Sequence, residues 1–84
     1  MHDRGDLMVM IPQVVNRVLE DKGYESQDMD ESTRLLGGDV PIDSLDLAAI
    51  VVELQERTGR DPFAQGFREF RTVGELATLY ADEG

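Results

Sequence analysis

The chain has 84 residues, 40% of them hydrophobic, with a formal net charge of -10 and no cysteine. That length suits one domain over residues 1–84 with a modest core, and the absence of cysteine excludes a disulfide framework or a thiolate metal site. The acidity leaves no basic stripe to neutralise phosphates, which argues against nucleic acid and favours partners with basic docking surfaces.

The apolar stretch from Leu7 to Pro12 is too short for a signal peptide or a membrane span, and Asp3 and Asp6 lie just before it. No membrane association is expected, and a soluble, cytoplasmic protein is. Leu7, Ile11, Val14, Val15, Val18 and Leu19 recur at steps of three and four, which predicts an amphipathic helix. Lys22 and Gly23 close it as a charged last turn and a glycine cap. Pro12 is compatible with two starts. It can occupy the first turn of a helix that begins near Ile11, or kink a longer helix that begins near Asp6. Leu7 and Met8 extend the apolar stripe and favour the longer helix.

Residues 24–41 read as a long loop rich in turn formers, including Asp28, Asp30, Gly37, Gly38 and Asp39. Leu35 and Leu36 are expected to anchor it to the core. Pro41 pushes Val40 towards an extended conformation. Loops of this length in small domains are often functional.

A second helix is predicted over residues 44–58, with Leu47, Ile50, Val51 and Leu54 facing the core. Gly59 ends it, and Asp61-Pro62 reinforces the stop. Phe63, Phe67 and Phe70 follow in a glycine-containing stretch with room for one short helical turn, and are expected to plug the core. The last helix runs from Thr72 to about Ala81. Thr72 and Glu75 have the spacing of a capping box, and Val73, Leu76, Ala77 and Tyr80 form the buried stripe. No alternating strand pattern is present. The expected fold is all-α, a small four-helix bundle of three main helices plus a short third one, with a long loop between helices one and two.

Ser44 stands in Asp43-Ser44-Leu45-Asp46, at the start of the second helix. Either Asp43 or Ser44 suits the N-cap. No base is at hand to activate the serine, because the single histidine is His2, which reads as a flexible end residue. No Gly-x-Ser-x-Gly elbow and no phosphate-cradling loop is present, so an enzyme is not expected. The positive end of a helix dipole and its free N–H groups instead favour an attached anion. Asp28, Asp30, Ser32 and Asp39 partly mimic a calcium loop. Thr33 occupies the place that needs glycine, and the twelfth residue is not glutamate, so a solvated acidic loop is the better reading.

The ordered pattern resembles the acyl/peptidyl carrier protein family: an amphipathic helix, a long loop, Asp-Ser-Leu opening the second helix, a short helix, and a final helix at a Thr-Val cap. The resemblance covers roughly residues 7–82. It implies a 4'-phosphopantetheine arm on Ser44, transferred from coenzyme A by a phosphopantetheinyl transferase using magnesium, with Asp43 beside it helping to hold the metal in that enzyme. It also implies cargo held as an acyl or aminoacyl thioester, no catalysis by the carrier itself, and a loading ligase and downstream transferases as partners. A monomer is the expected state of such a shuttle.

The outward face of the second helix holds Leu45, Ala48, Ala49, Val52 and Glu56, more apolar surface than solubility needs. By the resemblance, Leu45, Ala48 and Val52 match apolar docking positions, and Asp46 and Glu56 match acidic ones. Ala49 departs from the fatty-acid-synthesis carriers, which place a glutamate there, and points to a dedicated biosynthetic pathway. Gly37-Gly38-Asp39-Val40-Pro41-Ile42 is longer than the usual segment before the motif. The alternative is a small acidic helical interaction module that never receives an arm.

Overall fold

The computed structural model describes residues 3–64, 66 and 68–82; His2 and Phe67 lie outside them. Three α-helices form among these residues, and the other two pack on the first. Helix α1 spans Arg4–Asp21. Its start is set by a reciprocal capping box: the Asp6 N–H donates to Asp3 Oδ1 at 2.9 Å, and the Asp3 N–H donates to Asp6 Oδ2 at 3.3 Å. Pro12 therefore lies inside the longer of the two expected helices, where it deprives the Met8 carbonyl of its usual helical donor. Leu7, Ile11, Val14, Val15 and Leu19 are buried along one stripe, and Val18 packs at its edge. The helix ends at Lys22, and Gly23 turns the chain away at φ 89°.

The connection to the second helix is stitched to its neighbours by hydrogen bonds and not by regular structure. Asn16 holds Gln27 at both backbone groups, accepting from its N–H at 2.8 Å and donating to its carbonyl at 3.0 Å. Residues 31–35 run beside the chain that leads into the last helix. Leu35 N–H donates to Arg71 O at 2.9 Å, and Val73 N–H to Thr33 O at 2.9 Å, forming an isolated antiparallel bridge between Arg34 and Thr72. Leu35 is fully buried, as expected, and Val40 is 2% exposed. Leu36 is not a core anchor: it is 55% exposed. Adjacent side chains leave the backbone on different sides, so burying Leu35 turns Leu36 outward.

Helix α2 spans Ser44–Thr58 and ends at Gly59, whose φ of 69° places it in the left-handed region that favours glycine. Ile50 and Leu54 are fully buried, while Leu47 and Val51 are half-buried. The expected short third helix is a pair of tight turns here, with the Ala64 N–H donating to Asp61 O and the Gly66 N–H to Phe63 O. Phe63 and Phe70 both pack against the core, with ring centroids 5.9 Å apart.

Helix α3 spans Val73–Asp82. The Glu75 N–H donates to Thr72 Oγ1, and the Thr72 N–H donates to Glu75 Oε1, as the capping-box spacing predicts. The next orphan donors at this end, Val73 N–H and Gly74 N–H, are taken up by the Thr33 and Glu31 carbonyls of the long loop. Val73, Leu76, Ala77 and Tyr80 are all fully buried.

Candidate functional site

Asp43, not Ser44, is the N-cap of α2; Ser44 is its first helical residue and is exposed. The local sequence dictates this. The Asp46 N–H donates to Asp43 Oδ1 at 2.9 Å, and the Asp43 N–H donates back to Asp46 Oδ2 at 3.1 Å. Two carboxylates thus clamp the backbone on both sides of the serine. The hydroxyl sits at the positive end of α2, in the first turn, where an attached anion is favoured.

A third group reaches this turn from α1. Lys22 Nζ donates to Asp46 Oδ2 at 2.6 Å and to the Pro41 carbonyl at 3.2 Å. The hydrogen bond from Lys22 holds the Asp46 carboxyl below the usual carboxylate range, and the same bond raises the Lys22 ammonium above its ordinary value. Sequence reasoning read Lys22 only as the end of α1. Nothing local could reveal the tether, because its partners lie 19 and 24 residues away.

Beside Ser44 opens a largely apolar groove of about 490 Å³, lined among others by Leu36, Leu47, Val51, Phe63 and Phe70. It runs between α2 and the segment that precedes α3. Leu36, turned out of the core, forms one of its walls, and sequence reasoning missed this use of it. The groove's lining and its contact with Ser44 fit an apolar chain tethered at that oxygen, since little polar surface is available to stabilise water inside.

Five residues read as outward-facing on α2 are exposed. Leu45 is 80% and Val52 52% exposed, and Ala48, Ala49 and Glu56 are exposed beside them. Asp46 differs from the rest, being half-buried and tied to Lys22. Glu53, on the same helix, is paired with both Arg17 and Arg57.

Among the described residues no group of three or more His, Cys, Asp or Glu side chains is placed to hold a metal ion. In the calcium-like stretch, Asp30 Oδ1 accepts from the Ser32 N–H at 2.8 Å, and the Asp39 carboxylate is bound by Arg34. Among the described residues no helix is long and apolar enough to cross a membrane.

No family model matches the chain, and no curated protein matches it. Among solved structures, the chain is similar to the solution structure of MacpD, an acyl carrier protein from Pseudomonas fluorescens involved in mupirocin biosynthesis. The TM-score is 0.83 at 29% sequence identity, over 96% of this chain and 73% of that one.

Proposed function

We propose that this chain is a member of the acyl carrier protein family, as its likeness to a solved acyl carrier protein supports, and that it carries acyl or aminoacyl groups as thioesters on a 4'-phosphopantetheine arm attached to Ser44. One observation carries the reading: in this fold, Ser44 is the exposed first residue of α2, next to an apolar groove. When attached, the arm supplies a terminal thiol on which cargo is held.

The chain's own residues have distinct parts in this proposal. Ser44 Oγ is the acceptor oxygen. The N-terminus of α2 favours the phosphodiester charge. Asp43 caps the helix and sets an acidic group next to the serine, where it can assist the metal of a phosphopantetheinyl transferase. Leu45, Ala48, Ala49 and Val52, with Asp46 and Glu56 beside them, form the surface that meets the transferase, a loading ligase and downstream transferases. The groove shelters the apolar part of the cargo from water. We place the chain in a dedicated biosynthetic pathway, as a soluble, monomeric, cytoplasmic carrier domain that performs no catalysis itself.

Intact mass spectrometry after incubation with coenzyme A and a broad-specificity phosphopantetheinyl transferase tests the proposal. One arm is expected on the wild-type chain and none on Ser44→Ala. An unmodified wild type, or an adduct that survives Ser44→Ala, defeats it. The exposed strip on α2 also fits an interaction module without an arm. That reading requires native protein of unmodified mass and a partner whose binding is unchanged by Ser44→Ala.

A further inference from the structure

We propose that Lys22 is a positioning residue for the modification of Ser44, acting through Asp46 and the Pro41 carbonyl; this rests on the arm reading above. The argument starts from how the chain arrives at α2. Gly38 has a φ of 96°, and the last fully packed side chain before the helix is Val40, at 2% exposed. From there to Ser44 the backbone runs through Pro41, which lacks an N–H, and Ile42, which is only half-buried. Among the described residues, the hydrogen bonds that reach residues 41–46 from another helix come from Lys22.

The connection is short and specific. Asp46 Oδ2 receives the Lys22 ammonium at 2.6 Å and the Asp43 N–H at 3.1 Å, so one oxygen joins the end of α1 to the residue just before the serine. The second Lys22 bond, to Pro41 O, fixes the chain on the other side of Asp43. Ser44 lies inside this loop of contacts. The pair lies at the surface, with side-chain exposures of 33% for Lys22 and 20% for Asp46, so its part is to set the geometry of the turn more than to add stability. The ammonium also lies 5.9 Å from the Tyr24 ring centroid, which narrows the positions open to it.

The reaction makes a demand that this arrangement meets. Ser44 Oγ must approach phosphorus in line: the O–P bond forms, the pyrophosphate P–O bond of coenzyme A breaks, the adenosine bisphosphate leaves, and the hydroxyl proton passes to the transferase. Small errors in the placement of a reacting atom cost rate more than binding. Removing the Lys22 ammonium leaves every side chain of the proposed docking face in place, Asp46 included, and loosens only the tether that sets the turn. Lys22 is therefore expected to affect turnover of the docked carrier more than its docking.

The test is steady-state kinetics of arm transfer from coenzyme A by a broad-specificity transferase, with the carrier as varied substrate and intact mass as readout. Lys22→Met is expected to lower kcat by about tenfold or more with KM near the wild-type value, in a chain whose circular dichroism remains native. Lys22→Arg, which keeps a donor cation within reach of both oxygens, is expected to restore most of the rate. Arg71→Met, which removes an equal charge before α3, is expected to leave it unchanged. A kcat loss restored by arginine supports the proposal. An undiminished kcat in Lys22→Met, a loss confined to KM, or a failure of Lys22→Arg to restore the rate overturns it. A wild-type chain that never accepts an arm defeats the arm reading itself and is separately recognisable.

Discussion

The Tyr80 hydroxyl donates to the Val51 carbonyl at 3.2 Å, a hydrogen bond from α3 to α2 across the interior. Both helices pack mainly on α1, so this bond and the Phe63 ring help hold them to each other. Phe63 meets Tyr80 edge-on at 6.4 Å between centroids, and Phe63 and Val51 both line the groove beside Ser44. Tyr80→Phe keeps the ring and removes the donor. It is expected to cost about 1 kcal/mol in urea unfolding. A cost indistinguishable from zero would mean that the hydroxyl bond does not hold α3 to α2.

Leu54 and Val52 lie two residues apart on α2 and answer to different constraints. Leu54 is fully buried, whereas Val52 is 52% exposed. Leu54→Ala is expected to cost roughly 2 to 5 kcal/mol. Val52→Ala is expected to change stability by less than about 0.5 kcal/mol, yet to weaken binding to a loading ligase. Denaturant curves and a binding titration on the same two variants separate the effects. Equal stability losses would refute the division of α2 into core and docking faces.

Gly74 is in the first turn of α3, where alanine would ordinarily favour the helix by up to about 1 kcal/mol. Here an added Cβ would stand 2.8 Å from Glu31 Cβ, 2.9 Å from the Glu31 carbonyl and 2.9 Å from Arg4 Nη2. The Gly74 N–H donates to that same Glu31 carbonyl at 3.0 Å, so the loop cannot withdraw without losing the bond. Gly74→Ala is therefore expected to destabilise the fold by roughly 1 to 3 kcal/mol. A higher melting temperature for the variant would show that the loop yields freely.

The response to pH has a determined sign at each end. Hydrogen bonds from Arg34 and Lys22 lower the Asp39 and Asp46 carboxyls below 3.8. Groups lowered in the folded state stabilise it above their unfolded pKa, and that stabilisation disappears as pH falls through the folded values. Unfolding free energy should thus fall on acidification below about 4, and the fall should be smaller in Asp46→Asn. At the alkaline end the Asp46 bond raises Lys22, and burial with the charge of Asp61 raises the Tyr80 phenol. Their stabilisation is complete below their ordinary values of 10.5 and 10.0 and disappears as pH rises through the folded values. Urea midpoints measured across pH check both limbs. A stability that rises on acidification below the carboxylate range would contradict the two ion pairs.

How far the sequence could be read depends on how local each cause is. The apolar steps from Leu7 to Leu19 place α1, and the Thr72 and Glu75 spacing places the start of α3, because caps and periodicity act within one or two turns. Asp43 and Ser44 mark the start of α2 for the same reason, although their residue types alone leave open which is the cap. Leu36 is not the core anchor that its sequence suggests, since a pair of leucines in a loop does not reveal which one the fold turns inward.

The sequence alone located the three main helices, the glycines that end the first two and a serine at the mouth of the second, because backbone amides and side chains a few residues apart settle those features among themselves. It left the start of α1 open and read a short helix where the structure has turns. Tertiary structure alone decided that Lys22 would reach Asp46, that residues 31–35 would pair with the chain ahead of α3, and that a groove would open beside Ser44. Those features join groups far apart along the chain, and only the burial of the shared core against α1 brings them within a hydrogen bond of one another.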